Sequence, residues 1–146
     1  MGFRKLRDEN FDQNIAKGGT ASLLLHNGRR NSPALNDGDK NTAVTIIATD
    51  RSALQVVFKK SQSINCVVLR ENLVKGQSCE KFTVRLLNEK RELLREISGT
   101  TIGHKRILTF PQTDVSVISV SVDEQKSPTA ITETEAYLIN DKLIEN

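Results

Sequence analysis

The run Asn36-Asp-Gly-Asp-Lys-Asn-Thr42 gathers oxygen-bearing groups into one tight turn. Calcium takes about six to eight oxygens, from carboxylates, carbonyls and hydroxyls, at about 2.3–2.6 Å. A glycine between two aspartates permits the curl that turns carbonyls inward. The spacing lacks the glutamate that closes an EF-hand loop, so the residues also read as a plain Asx-rich turn. His26, Asn27, Arg29 and Arg30 lie close together in sequence. They offer a sugar hydrogen bonds, or they form a solvated loop. His104-Lys105-Arg106 is a second polar cluster. Cys66 and Cys79 are the only cysteines, neither has a histidine near it in sequence, and they read as free thiols.

Catalytic arrangements are missing from the pattern. A glycosidase needs two carboxyls about 5–9.5 Å apart in a cleft, whereas these Asp and Glu residues fall in turns and solvated hairpins. There is no Ser-His-Asp order and no phosphate loop. Two histidines in the whole chain argue against a Cys/His zinc site.

A chain of 146 residues fits one domain with its own core and needs no disulfide or metal for it. The net charge is +3, with Lys and Arg interleaved among Asp and Glu. Without a basic stripe or tail, no nucleic-acid partner is expected. No run of about 18 apolar residues occurs, so no membrane partner is expected either. The N-terminus shows no apolar signal segment.

The elements that must carry these groups read as short strands. Thr20 to Leu25 and Val44 to Thr49 are candidates, with a Gly-, Pro- and Asx-rich loop over 27–40 between them. Alternation marks Leu54 to Lys59, Ile64 to Leu69 and Phe82 to Leu87. Ile107 to Phe110 is a short strand. Val115 to Val122 is the clearest, with a change of parity at Ile118 that predicts a bulge. Ala136 to Ile139 closes the set. Asn88 to Ile97 has helix-forming residues, but regular spacing of short strands favours a hairpin with its turn at Asn88 to Arg91 and a strand from Leu93.

Three segments, in order, carry a family resemblance. Ser98-Gly-Thr-Thr-Ile-Gly-His-Lys-Arg-Ile107 resembles the GTTIG-aromatic-KRI signature of the C-terminal sandwich domain of bacterial α-L-fucosidases of glycoside hydrolase family 29. Leu35 to Thr42 resembles the L-x-DGD-x-x-T turn of discoidin-like (F5/8 type C) domains. Val68-Leu-Arg-Glu-Asn-Leu73 with Gly76-Gln77 resembles the V-x-LQE-x-I-x-x-GQ strand and loop of the fucosidase domain. The chain departs from the pattern at Ala43-Val44, at Leu94 and at His104, where the family usually has aromatic residues.

The resemblance implies an all-β fold: an antiparallel β-sandwich of the jelly-roll, galactose-binding-like type over 14–146. Residues 1–13 would be a lead-in from a catalytic barrel. It implies a structural Ca²⁺ held by the Ala34 carbonyl, Asp37, the Asp39 carbonyl, Thr42, the Thr132 carbonyl and Glu133, with Glu135 in the same parity as Glu133. It implies a non-catalytic accessory domain whose partner is the barrel of the same parent chain, with His104, Lys105 and Arg106 facing that barrel. A periplasmic or secreted parent follows from the same likeness. The alternatives are a Ca²⁺-supported carbohydrate-binding module and a discoidin-like adhesion domain. The absence of Trp, and of a loop ring on which a sugar could stack, points to weak glycan binding at most.

Overall fold

The computed structural model describes residues 14–25, 28–31, 43–47, 52–73 and 76–139. One turn of 3-10 helix, Ile15–Gly18, leads into eight strands: β1 Thr20–Leu25, β2 Gly28–Asn31, β3 Val44–Ile46, β4 Ala53–Glu71, β5 Cys79–Leu87, β6 Leu93–Gly99, β7 Arg106–Gln125 and β8 Thr129–Tyr137. Every pairing is antiparallel.

Two strands, β4 and β7, are far longer than the rest, at 19 and 20 residues. They pair along almost their whole length, with register shifts between Val57/Gln62 and Ile64/Cys66. The shifts form a corner. On one side, the early half of β4 and the late half of β7 complete the run β2-β1-β4-β7-β5-β6. On the other, the late half of β4 pairs with β8, and β8 with β3. The result is a two-layered sandwich hinged on one shared pair of strands.

The core lies between the layers. Period-two alternation sends Leu54, Val56, Phe82, Val84, Leu86, Ile118 and Val120 inward from one layer, and Val67, Leu69, Leu108, Phe110, Ile131 and Ala136 from the other. Cys66, Val68, Tyr137 and Ile139 form a separate buried cluster on alternate positions of the second layer. Asn14 ties the lead to that layer: its side chain accepts from Ala16 N and Ala136 N, each at 3.0 Å.

The expected break between Leu54–Lys59 and Ile64–Leu69 is absent, as is that between Ile107–Phe110 and Val115–Val122. Lys59, Lys60 and Pro111, which look like breakers, fall where the β4–β7 ladder is interrupted. There a proline costs no ladder hydrogen bond. The irregularity predicted at Ile118 also moves: β7 runs in register with β5 from Val117 to Val122, and the extra residues sit on β4 between Val57 and Gln62 and on β7 between Thr109 and Thr113. The closing strand starts at Thr129, seven residues before Ala136. The 88–97 segment is a hairpin. Asn88 Oδ1 accepts from Lys90 N and Glu92 N, both at 2.9 Å, and Arg91 takes the left-handed region at φ 63°.

Candidate functional site

A cleft of about 490 Å³ opens among Thr45, Asn72, Gly76, Ser78, Ser127, Pro128 and Ala130. Four segments supply them: β3, the β4–β5 connection, the β7–β8 turn and the start of β8. Among the described residues the lining combines hydroxyls and one amide with the apolar surfaces of Pro128 and Ala130, and includes neither a charged side chain nor an aromatic ring. Backbone bonds join its walls. Asn72 N donates to Ala130 O and Lys126 N to Ser78 O, each at 2.8 Å. Gly76 has φ 85°, open to glycine without strain.

Behind the cleft sits Glu71, the last residue of β4 and 3% exposed. Its Oε2 accepts from Ser78 N and Ser78 Oγ at 2.8 Å and from Cys79 N at 3.4 Å. Its Oε1 accepts from Gly103 N at 3.3 Å, and Glu71 N donates back to Gly103 O at 2.9 Å. Ser78 Oγ also meets Thr129 Oγ1 at 2.9 Å, and Gln125 Nε2 reaches Thr129 Oγ1 at 2.8 Å and Ile46 O at 3.3 Å. A buried carboxylate needs such donors to remain in an apolar surrounding.

A second polar group lies on the other layer. Arg70 Nε meets Glu135 Oε2 at 2.5 Å, and the Tyr137 hydroxyl donates to Glu135 Oε1. Burial, reinforced by that bond, pushes the Tyr137 hydroxyl far above its ordinary range.

The expected calcium ligands divide between described and undescribed residues. Ala34, Asp37, Asp39 and Thr42 lie outside the described residues. Thr132 and Glu133 are buried on β8, and Thr132 Oγ1 donates to Arg70 O at 3.3 Å. Pairing of Val44 with Ile131 brings the start of β3, just after the Asp-rich turn in sequence, beside this end of β8. Glu135, the rival for the last ligand, is committed to Arg70 and Tyr137.

His26 and Asn27 lie outside the described residues, as do the side chains of Arg29 and Arg30; the backbones of the two arginines pair with Leu24 and Leu23 on β1. His104 is exposed, and Lys105 and Arg106 are half-buried. The Arg106 guanidinium lies over the Phe82 ring, 5.8 Å from its centre.

Most of the Ser98–Ile107 run therefore has packing work. A Cβ on Gly99 would come within 2.4 Å of Phe82 Cζ. Ile102 is buried, and Gly103 has φ 68°. Sequence reasoning did not single out Thr45, Asn72, Ser78 or Ser127 as a group. The available signal was Glu71 itself, a carboxylate closing the apolar run Val67–Leu69, which demands buried donors.

No protein-family profile matches the chain. A curated relative named "Putative alpha-L-fucosidase 1", from Oryza sativa subsp. japonica, is 28% identical over 128 residues, covering 83% of this chain and 24% of that protein. The chain thus spans about a quarter of that relative. Among solved structures, a glycoside hydrolase family 29 fucosidase of Ruminococcus gnavus in complex with fucose superposes at TM-score 0.78 and 20% identity, over 97% of this chain and 29% of that one. A fucose binding module of Streptococcus pneumoniae superposes at TM-score 0.71 and 19% identity, over 90% and 98%. The fold is the antiparallel, galactose-binding-like β-sandwich. It forms about a third or less of the fucosidase chain and nearly all of the solved fucose binding module.

Proposed function

We propose that this chain is a non-catalytic accessory domain of an α-L-fucosidase, packed on the catalytic barrel of the same polypeptide. The carrying observation is asymmetric coverage: 97% of this chain against 29% of the fucosidase. Interdomain surfaces within a chain are polar and about 600–1,500 Å²; exposed His104, with Lys105 beside it, suits such a contact. The parent would be secreted or periplasmic. The isolated chain should release no phenol from an aryl α-L-fucoside; turnover abolished by changing one of its Asp or Glu residues would overturn the reading. The barrel expressed alone should melt lower than the intact enzyme and recover when this chain is added. An unchanged melt would also count against it.

A second reading is glycan binding, supported by the near-complete match to the fucose binding module, with the cleft as the described site that would hold the sugar. Without a stacking ring the site relies on hydrogen bonds of about 0.5–1.5 kcal/mol each, so a Kd near 1 mM or weaker is expected, about 4 kcal/mol in total. Calorimetry with L-fucose measures it; a low-micromolar Kd weakened by changing Arg29 or Arg30 would move the site to that loop and demote docking.

The calcium assignment belongs to the same proposal: Asp37, Asp39 and Thr42 joined by Ala34, Thr132 and Glu133. A ligand bound only to the folded state adds about 2.7 kcal/mol at a hundredfold excess over Kd. Chelation should lower Tm, and Asp37→Ala should remove the response; identical melts with and without chelator reject it.

A further inference from the structure

We propose that Glu71 is the positioning residue of the cleft, setting the place of Ser78 from behind and linking the cleft to the Gly99–Arg106 run through Gly103. This rests on the glycan reading of the cleft. Glu71 is not among the lining residues, so it does not touch a ligand there. Its two carboxylate oxygens point to opposite neighbours. Oε2 holds Ser78 and Cys79 on the cleft side, and Oε1 holds Gly103 in the connection between β6 and β7.

The charge is balanced by donors. Among the described residues the ion pairs are Arg70–Glu135 and Arg85–Glu96, and neither includes Glu71. Hydrogen bonds to an ionised acceptor are about twice as strong as neutral ones, and these donors come from two places, Ser78 and Cys79 at the start of β5 and Gly103 between β6 and β7. From Ser78 the contacts continue to Thr129, Gln125 and Ile46, next to Thr45 on the far wall. One carboxylate thus fixes the spacing between walls that come from distant parts of the chain. A weak site whose specificity comes from hydrogen bonds is sensitive to such spacing, because misplaced donors must compete with water. Gly103, held in the left-handed region at φ 68°, presents its N–H to Oε1 from the segment that also carries His104 and Lys105. Occupancy of the cleft and the setting of that segment are therefore read through the same side chain.

Amide-resolved NMR with L-fucose as probe tests this. In the wild-type chain, fucose should shift the amides of Thr45, Asn72 and Ser127, and also that of Gly103, which lies outside the cleft. Glu71→Gln, which turns one acceptor into a donor facing an N–H, should move the Gly103 and Ser78 amide protons upfield. It should weaken fucose binding about fivefold or more, in the usual range of coupling between sites. Ile118→Val, a core change that pairs with Val56 and Leu86 and meets neither the cleft lining nor the Gly99–Arg106 run, should lower Tm yet leave fucose affinity unchanged, which separates positioning from general stability. A Gly103 amide that stays still while the cleft amides move overturns the proposal alone, and needs no variant. So does a folded Glu71→Gln chain with wild-type affinity. Silence of Thr45, Asn72 and Ser127 at every fucose concentration removes the glycan reading and this proposal with it.

Discussion

At Cys66 and Cys79 burial decides the chemistry. Both are free and fully buried. Loss of hydration pushes the Cys66 thiol up to about 12, with Lys105 pulling the other way, and the Cys79 thiol up to about 11, helped by Glu71. The folded-state values exceed the ordinary 9.0, so the neutral thiols contribute stability in full below pH 9. That contribution is lost as pH rises towards 11 and 12. Urea midpoints should therefore fall between pH 9 and 11, and replacing both cysteines by Val and Ala should flatten the fall. Neither thiol should react with a disulfide reagent until the chain unfolds. Asn65 is the other decisive residue. Its side chain accepts from Ile139 N and donates to Ile139 O, both at 2.8 Å, pinning the chain after β8. Asn65→Ala leaves two buried backbone groups without these partners and should cost about 2–6 kcal/mol by urea unfolding, at about 1–3 kcal/mol per group.

Among the elements, β5 and β6 are held by a glycine that has no room to grow. The Gly99 contact with Phe82 means that Gly99→Ala must push a fully buried ring, with an expected loss of about 1–3 kcal/mol. Gly18, with nothing within 4 Å of its would-be Cβ, should tolerate Ala within about 0.5 kcal/mol. Thermal melts of the two variants check the contrast. These elements also show what the sequence disclosed. Phe82, Val84 and Leu86 alternate with polar or half-buried neighbours, so β5 was legible. The 88–91 turn was legible through the regular spacing of the strands around it. The beginning of β8 was not, because Thr132, Glu133, Thr134 and Glu135 look like a solvated face and are buried instead; their partners, such as Arg70, are more than 60 residues away in sequence. The corner was hidden for a related reason. Lys59, Lys60 and Pro111 are breakers by type, and only the paired strand shows that the ladder is already interrupted there. The cleft was illegible because its lining is small residues of ordinary strand ends and connections, and nothing local says that four segments converge.

For the whole molecule, topology governs. The pairs that build the sheets join distant segments, such as Val44 with Ile131 and Cys66 with Tyr137, so folding should be slow for the chain's size, in milliseconds to seconds. Stopped-flow refolding measures this; microsecond folding would contradict the long-range order. The shared β4–β7 pair has a further consequence. Since both layers are built on the same two strands, neither layer can open while the other stays shut. The domain should exchange its amide hydrogens as one cooperative unit, with Val84 of one layer and Ala136 of the other reporting a common opening free energy. A partner gripping either face would then slow exchange on both, so the footprint of a bound barrel or glycan would spread across the domain, and its location would have to be read from something other than protection.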